Sequence, residues 1–455
     1  MKIKIFFLIM AAAWVPVGRA QQTQVSLPQT SAGRQVEAYV LAFNAGDAAM
    51  REFFAGHTAK EALQKTPVEV RMDRYRQMRD RLGSIELRKL IESRADFVSV
   101  IARTSDGPIV RLEFQFEPTE PFGLLGIRIE AMEDTGEESA PAAAKKNNDE
   151  LLASVKEYGQ RASQAEEFSG VILVAQNGTP LFEQGYGYAD REKKIPNRVD
   201  TKFNVGSINK SFTGLAIHQL IGKKKVSPDD PIRKFLPDYL NKDAAAKVTV
   251  RQLLDMTSGI GDFFGDRYNA TPKEKIRSLA DYLPLFADKP LEFEPGARER
   301  YSNGGYVVLG LIIAKASGTD YYTYVCDHIF KPAGMNDSAS FEKDAAVPNR
   351  ALGYVRDGSS WKPNYETLPG RGSSAGGGYS TVRDLLKYTI ALGEGTIAGT
   401  PEEMRGGFGI AGGAPGLNAV LEWDPKSGYV VAVMSNFGPP SAERVGRQIR
   451  SWLPR

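Results

Sequence analysis

Hydrophobic positions recur along this chain with two periods. In the first hundred residues the helical period comes first. Val36, Tyr39, Val40 and Phe43 fall three or four apart, and Asn44 to Asp47 end that helix. A second helix is expected over Pro67 to Leu82. Its arginines, Arg71, Arg74, Arg76, Arg79 and Arg81, are interleaved with Asp73 and Asp80, the pattern of a solvated face. From Ile85 the period drops to two. Segments 85–91, 97–103, 109–117 and 124–131 read as four strands, with Leu112, Phe114 and Phe116 on one face. Beyond residue 149 both periods return. Val171 to Ala175 and Pro180 to Tyr186 read as a hairpin around Asn177-Gly178. Helical stretches follow, including Val248 to Met256 and Tyr306 to Ala316. The end returns to alternation in LNAVLEWDPKSGYVVAVMSN, and Ala442 to Trp452 reads as a closing helix.

These elements sort into two domains, as 455 residues would for any ordinary core size. Residues 134–148, DTGEESAPAAAKKNN, lack large apolar side chains and read as a linker. Residues 27–133 place helices before an antiparallel sheet, a small α+β domain. Its element order and the Asn44-Ala45-Gly46-Asp47 helix end resemble the cone-shaped nuclear-transport-factor-2-like fold. That resemblance implies small-molecule binding or pairing, and no group of acids and histidine there supports catalysis. Residues 149–455 are also α+β. Strands from both ends of this domain are expected to form one antiparallel sheet, flanked by the helices between them.

Composition adds little until the first twenty residues are set apart. Hydrophobic residues are 42% and charged residues 25%, normal for a globular protein. The formal charge of +3 comes from Lys2, Lys4 and Arg19, and without them acids and bases balance. Bulk charge therefore gives no reason to expect nucleic acid. The segment MKIKIFFLIMAAAWVPVGRA reads as a secretory signal cleaved before Gln21, so the mature protein is expected to be exported, periplasmic or extracellular. A membrane anchor is the alternative, but Ile5 to Val17 is shorter than the roughly 20 residues a spanning helix needs. One cysteine, Cys326, excludes an internal disulfide and is expected to be a small buried hydrophobe.

The chemistry starts at VGSINKSFTG, residues 205–214. Ser207 and Lys210 stand one turn apart where a helix begins. A hydroxyl needs a base to attack a carbonyl, and a lysine can be that base if burial and a helix N-terminus lower its pKa. Unpaired N–H groups at the same helix start favour a developing negative charge. Ser-x-x-Lys alone is a common coincidence, and the bland reading is a cap with a solvated lysine. Tyr301 and Asn303 lie in RYSNGGYVVLG. Tyr301 can accept a proton if neighbouring cations lower its pKa, and Asn303 can offer its amide to substrate or to Lys210. The bland reading there is a helix cap at Ser302 or Asn303. In GFGIAGGAPG, residues 407–416, the glycines allow close approach of backbone to a ligand.

In this order these pieces resemble the serine hydrolases of the class C β-lactamase, penicillin-binding protein and family VIII carboxylesterase superfamily. Ser207-Ile208-Asn209-Lys210 matches Ser-x-x-Lys, and Tyr301-Ser302-Asn303 matches Tyr-x-Asn. VRQLLDMTSGI (250–260) and SSAGGGYSTVRDLLKY (373–388) resemble two further family segments. The resemblance covers nearly all of residues 150–455 and implies a sheet flanked by helices with a helical subdomain and a cleft between. It assigns Ser207, Lys210 and Tyr301 to catalysis and Asn303, Gly412 and Gly413 to substrate binding, with the N–H groups of Ser207 and Gly413 holding the oxyanion. The third motif departs from the family. Ile410-Ala411-Gly412 stands where Lys-Thr-Gly or His-x-Gly is usual, so the cation for a substrate carboxylate is missing.

Three readings follow. The first is an exported serine hydrolase acting on carboxylic esters through an acyl-enzyme. The second is a D-alanyl-D-alanine carboxypeptidase or weak β-lactamase acting on a peptidoglycan peptide or β-lactam, with Arg371 or Arg405 supplying the cation. The third is an inactive binding protein carrying relic motifs. None needs a metal or cofactor, and His218, eleven residues past Ser207, is too far along its helix to pair with it.

Overall fold

The computed structural model describes residues 27–131 and 147–454, apart from residues 29, 106–108, 118, 120–121 and 359. The expected secretory segment and residues 134–146 of the expected linker lie outside the described residues. The linker's last two residues do not continue it. Asn147 caps the helix that begins at Asn148, accepting from the Glu150 N–H in a reciprocal capping box. The chain divides into two compact units near residue 137.

In the first unit, α1 (Ser31–Ala45) ends at Gly46, whose φ of 113° only glycine adopts readily. The stop is brief. Met50, Phe53 and Phe54 give the next segment an apolar face, and it forms α2 (Asp47–His57), an element the sequence reading passed over. A short α3 (Lys60–Lys65) and α4 (Val68–Leu82) follow. The strands β1 (Ile85–Arg94), β2 (Phe97–Thr104), β3 (Val110–Phe116) and β4 (Leu124–Ala131) form an antiparallel sheet in that order. Leu112, Phe114 and Phe116 are buried on one face, in a core with Tyr39, Phe43 and Tyr75.

The second unit opens with α5 (Asn148–Gln164), β5 (Gly170–Gln176) and β6 (Thr179–Tyr186). Asn177 and Gly178 join the strands with φ of 50° and 77°, the left-handed pair a two-residue hairpin turn needs. The main helices of its middle are α6 (Asn209–Gly222), α7 (Asn303–Ser317) and α8 (Val382–Glu394). β7 (Phe408–Ala414), β8 (Leu417–Asp424), β9 (Tyr429–Ser435) and α9 (Ser441–Trp452) close it. The sheet is antiparallel in the order β7-β8-β9-β5-β6, so strands from both ends of the unit meet at the β9–β5 pair. Val171 and Leu173 face a core shared with α6, α7 and α8, while Ile172 and Val174 face one shared with α5 and α9. That is why β5 reads as a continuous apolar run: it is covered on both faces. Cys326 is only partly buried, at the margin of the larger core where a helix widens into a π-turn, which corrects the expectation of full burial. No helix among the described residues is long and apolar enough to cross a membrane.

Candidate active site

Ser207 lies in a 3₁₀ turn, Gly206–Ile208, that runs straight into α6. The turn needs Gly206, which has a φ of 52°, and a Cβ there would lie 2.9 Å from the Gly413 nitrogen. Lys210 follows one turn later, so its amine returns to within 3.3 Å of Ser207 Oγ. The start of α6 is fastened to the 373–375 segment. Asn209 Nδ2 donates to the carbonyl of Ser373, and Thr213 Oγ1 donates to that of Ser374.

On α7, Ser302 takes the capping role and accepts from the Gly305 N–H at 2.8 Å. Its neighbours on either side meet the α6 pair. Tyr301 Oη is 2.6 Å from Ser207 Oγ, and Asn303 Oδ1 accepts from Lys210 Nζ at 2.7 Å. Lys210 also donates to the Ala375 carbonyl at 2.6 Å.

This arrangement sets the direction of the lysine lone pair. Lys210 is 7% exposed, and burial brings its pKa down to about 7, against an opposing pull from the Asp262 carboxylate. Near neutral pH much of it is therefore an amine with two N–H bonds. Asn303 Oδ1 and the Ala375 carbonyl can only accept, so they take both. The lone pair is left for the Ser207 hydroxyl proton, as a general base requires.

Tyr301 departs from expectation. Loss of water around its hydroxyl raises the phenol above its usual value; the Ser207 contact lowers it and Asp262 raises it further. Lys210 Nζ lies over the Tyr301 ring, 4.6 Å from its centroid, but burial outweighs what lowers the phenol, so at neutral pH it is a hydroxyl that can both donate and accept rather than a phenolate base.

Asp262 escaped the sequence reading. It accepts from Asn303 Nδ2 at 2.6 Å, which holds Asn303 Oδ1 toward Lys210. The only local sign it gives is an Asx-turn bond from the Phe264 N–H, the ordinary signature of a loop residue. Phe263 and Phe264, in the same loop, pack against each other and against Tyr268 in tilted and edge-to-face contacts, and neither lines the cleft.

Gly412 and Gly413 lie on β7 against the Ser207 turn. A Cβ on Gly412 would stand 2.1 Å from the Val205 carbonyl oxygen and 2.6 Å from the Ser207 nitrogen. The backbone at Gly412 and Gly413 thus lies directly against that of residues 205–207, at an approach no side chain on Gly206 or Gly412 could fit. Ser207 also lies in the first helical turn, where N–H groups lack intrahelical acceptors.

Around these groups is a cleft of about 430 Å³. Its walls are largely apolar, with Leu254, Met256, Tyr306, Met404 and Ile410. Apart from Lys210, the charged residue among the described lining residues is Asp255. Arg371 lies over the Tyr322 ring at 3.6 Å and donates to Ser340, and neither it nor Arg405 reaches the cleft lining. His218 does line the cleft, on the Ser207 face of α6, although its distance along the helix had set it aside. Burial lowers its pKa, opposed by Glu403 and Asp255, so it is neutral at neutral pH. Among the described residues no group of three or more His, Cys, Asp or Glu side chains could hold a metal.

Residues 155–407 match the family model described as Beta-lactamase. The chain is 28% identical over 358 residues to the putative penicillin-binding protein PbpX of Bacillus subtilis (strain 168), across 70% of this chain and 89% of that one. It is similar to the crystal structure of a penicillin binding protein from Bacillus halodurans, with 30% identity and a TM-score of 0.59, covering 68% of this chain and 99% of that one. A D-amino acid amidase from Ochrobactrum anthropi SV3, solved with D-phenylalanine, is 25% identical with a TM-score of 0.56, covering 66% of this chain and 98% of that one.

Proposed function

The chain belongs to the beta-lactamase family and is a serine hydrolase, and on that premise we propose that it cleaves neutral carboxylic esters through an acyl-enzyme on Ser207. The observation that carries this reading is the charge of the cleft. A substrate carboxylate would meet Asp255 there, and no cation other than the fully engaged Lys210 among the described lining residues. That favours an ester over the peptide and β-lactam substrates that depend on a bound carboxylate.

The steps follow from the geometry. The Lys210 amine takes the Ser207 proton as Oγ bonds to the ester carbonyl carbon. The carbonyl oxygen, now an alkoxide, rests against the N–H groups of Ser207 and Gly413. The bond to the alcohol oxygen breaks, and the proton returns through the Tyr301 hydroxyl to the departing alcohol. Water loses a proton to the same relay and adds to the acyl carbon; as the acyl–Oγ bond breaks, that proton passes from Lys210 to Oγ, releasing the acid and restoring Ser207 and the neutral amine. Asn303 holds the amine; its own amide N–H₂ is taken by Asp262 and it does not line the cleft, so its part is positioning Lys210 and not the substrate contact the resemblance implied. A second reading draws on Asp255: an amide whose free amine pairs with that carboxylate, in keeping with the similarity to a D-amino acid amidase.

The proposal includes export, on the pattern of residues 1–20, and amino-terminal sequencing of the mature protein tests it. The activity is tested by assaying p-nitrophenyl butyrate, a chromogenic cephalosporin and D-phenylalanine amide with wild type and Ser207→Ala. The ester should be turned over by wild type alone. An inert ester with a rapidly cleaved cephalosporin or amide would overturn the ester reading.

A further inference from the structure

The face of α6 that starts at the nucleophile does not stop there. Ser207, Ser211, Gly214 and His218 all line the cleft. They are three or four residues apart, so they form one stripe along the helix. The opposite face, with Phe212, Leu215, Ala216 and Leu220, is buried in the core. At 1.5 Å per residue the stripe carries the cleft about 10 Å from Ser207 to Gly214 and about 16 Å to His218. Gly214 is its low point: a Cβ built there meets nothing within 4 Å. Leu254 and Met256 come from one flanking segment, Met404 and Ile410 from another.

Reaction order decides which half of an ester belongs in this groove. The alcohol must leave in the first step and make way for water, so it belongs at the open mouth, beside the half-exposed Tyr301. The acyl group stays on Ser207 through the second step and needs an apolar bed. A neutral His218 at the far end leaves that bed without a cation, and Asp255 disfavours a chain ending in a carboxylate.

We propose that the Ser211–Gly214–His218 face of α6 is the floor of an acyl-chain groove, that the substrates are esters of medium-length, uncharged fatty acids, and that the missing side chain at Gly214 sets the length accepted. The inference rests on the ester reading. It differs from it in requiring a particular half of the substrate to lie along α6.

The test is kcat/KM for p-nitrophenyl acetate, butyrate, octanoate and decanoate with wild type, Gly214→Ala and Gly214→Leu. Each methylene buried adds up to about fourfold, so wild type should rise steeply from acetate to octanoate. In Gly214→Leu the octanoate-to-acetate ratio should fall at least tenfold, with Gly214→Ala between. Both substitutions replace a helical glycine with a better helix former in open space, so folding should survive. A flat wild-type series, or a variant that lowers all chain lengths alike, overturns the groove. A readout independent of turnover is the rate at which octyl and methyl fluorophosphonates label Ser207, followed by intact mass. If no ester is turned over yet the octyl probe labels faster, and Gly214→Leu removes the difference, the groove stands and the ester reading falls. If the two probes label equally, the groove falls.

Discussion

Replacing Asp262 by asparagine should move the pH dependence of the enzyme without dismantling its site. The carboxylate lies behind Asn303, whose amide spans it and Lys210 with contacts of 2.6 and 2.7 Å. Its charge favours the ammonium form of Lys210 and opposes the burial that brings the amine down to about 7. The two charges are on the order of 7 Å apart, which at an effective dielectric of about 20 is worth roughly 2 kcal/mol. Asp262 is partly exposed and its field partly screened, so a shift of about one pKa unit is the expectation. The sign is downward: without the carboxylate the ammonium loses support and the amine is neutral at lower pH. An asparagine keeps a carbonyl oxygen to accept from Asn303 Nδ2, so the Lys210 contacts should persist. The assay is kcat/KM for p-nitrophenyl butyrate from acid to mildly alkaline pH. Wild type should rise with pH through an apparent pKa near 7, and the variant about one unit lower. An unmoved acid limb, or one moved to higher pH, would refute Lys210 as the base whose protonation limits the reaction.

Four further outcomes are expected. Ser207→Ala should lose on the order of 10⁴–10⁶ in kcat while its thermal unfolding midpoint stays near that of wild type, checked by scanning calorimetry. Tyr301→Phe should lower kcat by about 10²–10⁴, the usual worth of a proton relay, measured in the same ester assay. Gly412→Ala would place a methyl 2.6 Å from the Ser207 nitrogen and should cost about 10²–10³ in kcat, as loss of an oxyanion donor does. Ile410→Lys puts a cation on the cleft wall; it should raise the acylation rate with a penicillin, read by intact mass, and lower the Lys210 acid limb through like-charge repulsion.

The parts legible in the sequence are those whose signals are local. Asn177-Gly178 specifies its hairpin by the φ values it tolerates, and the Ser207–Lys210 pairing follows from helix geometry alone. Asp262 was hidden because its short-range role, the Asx-turn to Phe264, already accounts for an aspartate in a loop, while its partner Asn303 is 41 positions away. Ala375 contributes a main-chain carbonyl, which has no side-chain signature. His218 was judged only as a partner for Ser207, when its position on the helix face makes it a wall. For Tyr301 the neighbouring cation is there, Lys210 over its ring at 4.6 Å, but burial, with Asp262 adding to it, still raises the phenol, and burial is not legible in a tyrosine's local sequence. In the first unit α2 was missed because Gly46 reads as the end of a helix, and nothing local says that another begins at once.

The strand order has a consequence for how the second unit is made. Its first strand is interior: β5 lies between β6 and β9, and the Ser435 hydroxyl reaches the Ser169 carbonyl across 266 positions of chain. During synthesis the β5–β6 hairpin forms early, but its inner edge stays bare until Tyr429–Ser435 emerges. β7, which brings Gly412 and Gly413 to the Ser207 turn, joins the sheet only through β8 and β9. The nucleophile is therefore translated long before the strand that completes its oxyanion site can align. A high-contact-order closure of this kind is slow. In the interval the apolar Val171–Ala175 run is an unprotected edge strand, so the intermediate that waits for its own carboxyl-terminal third is also the one most prone to aggregate.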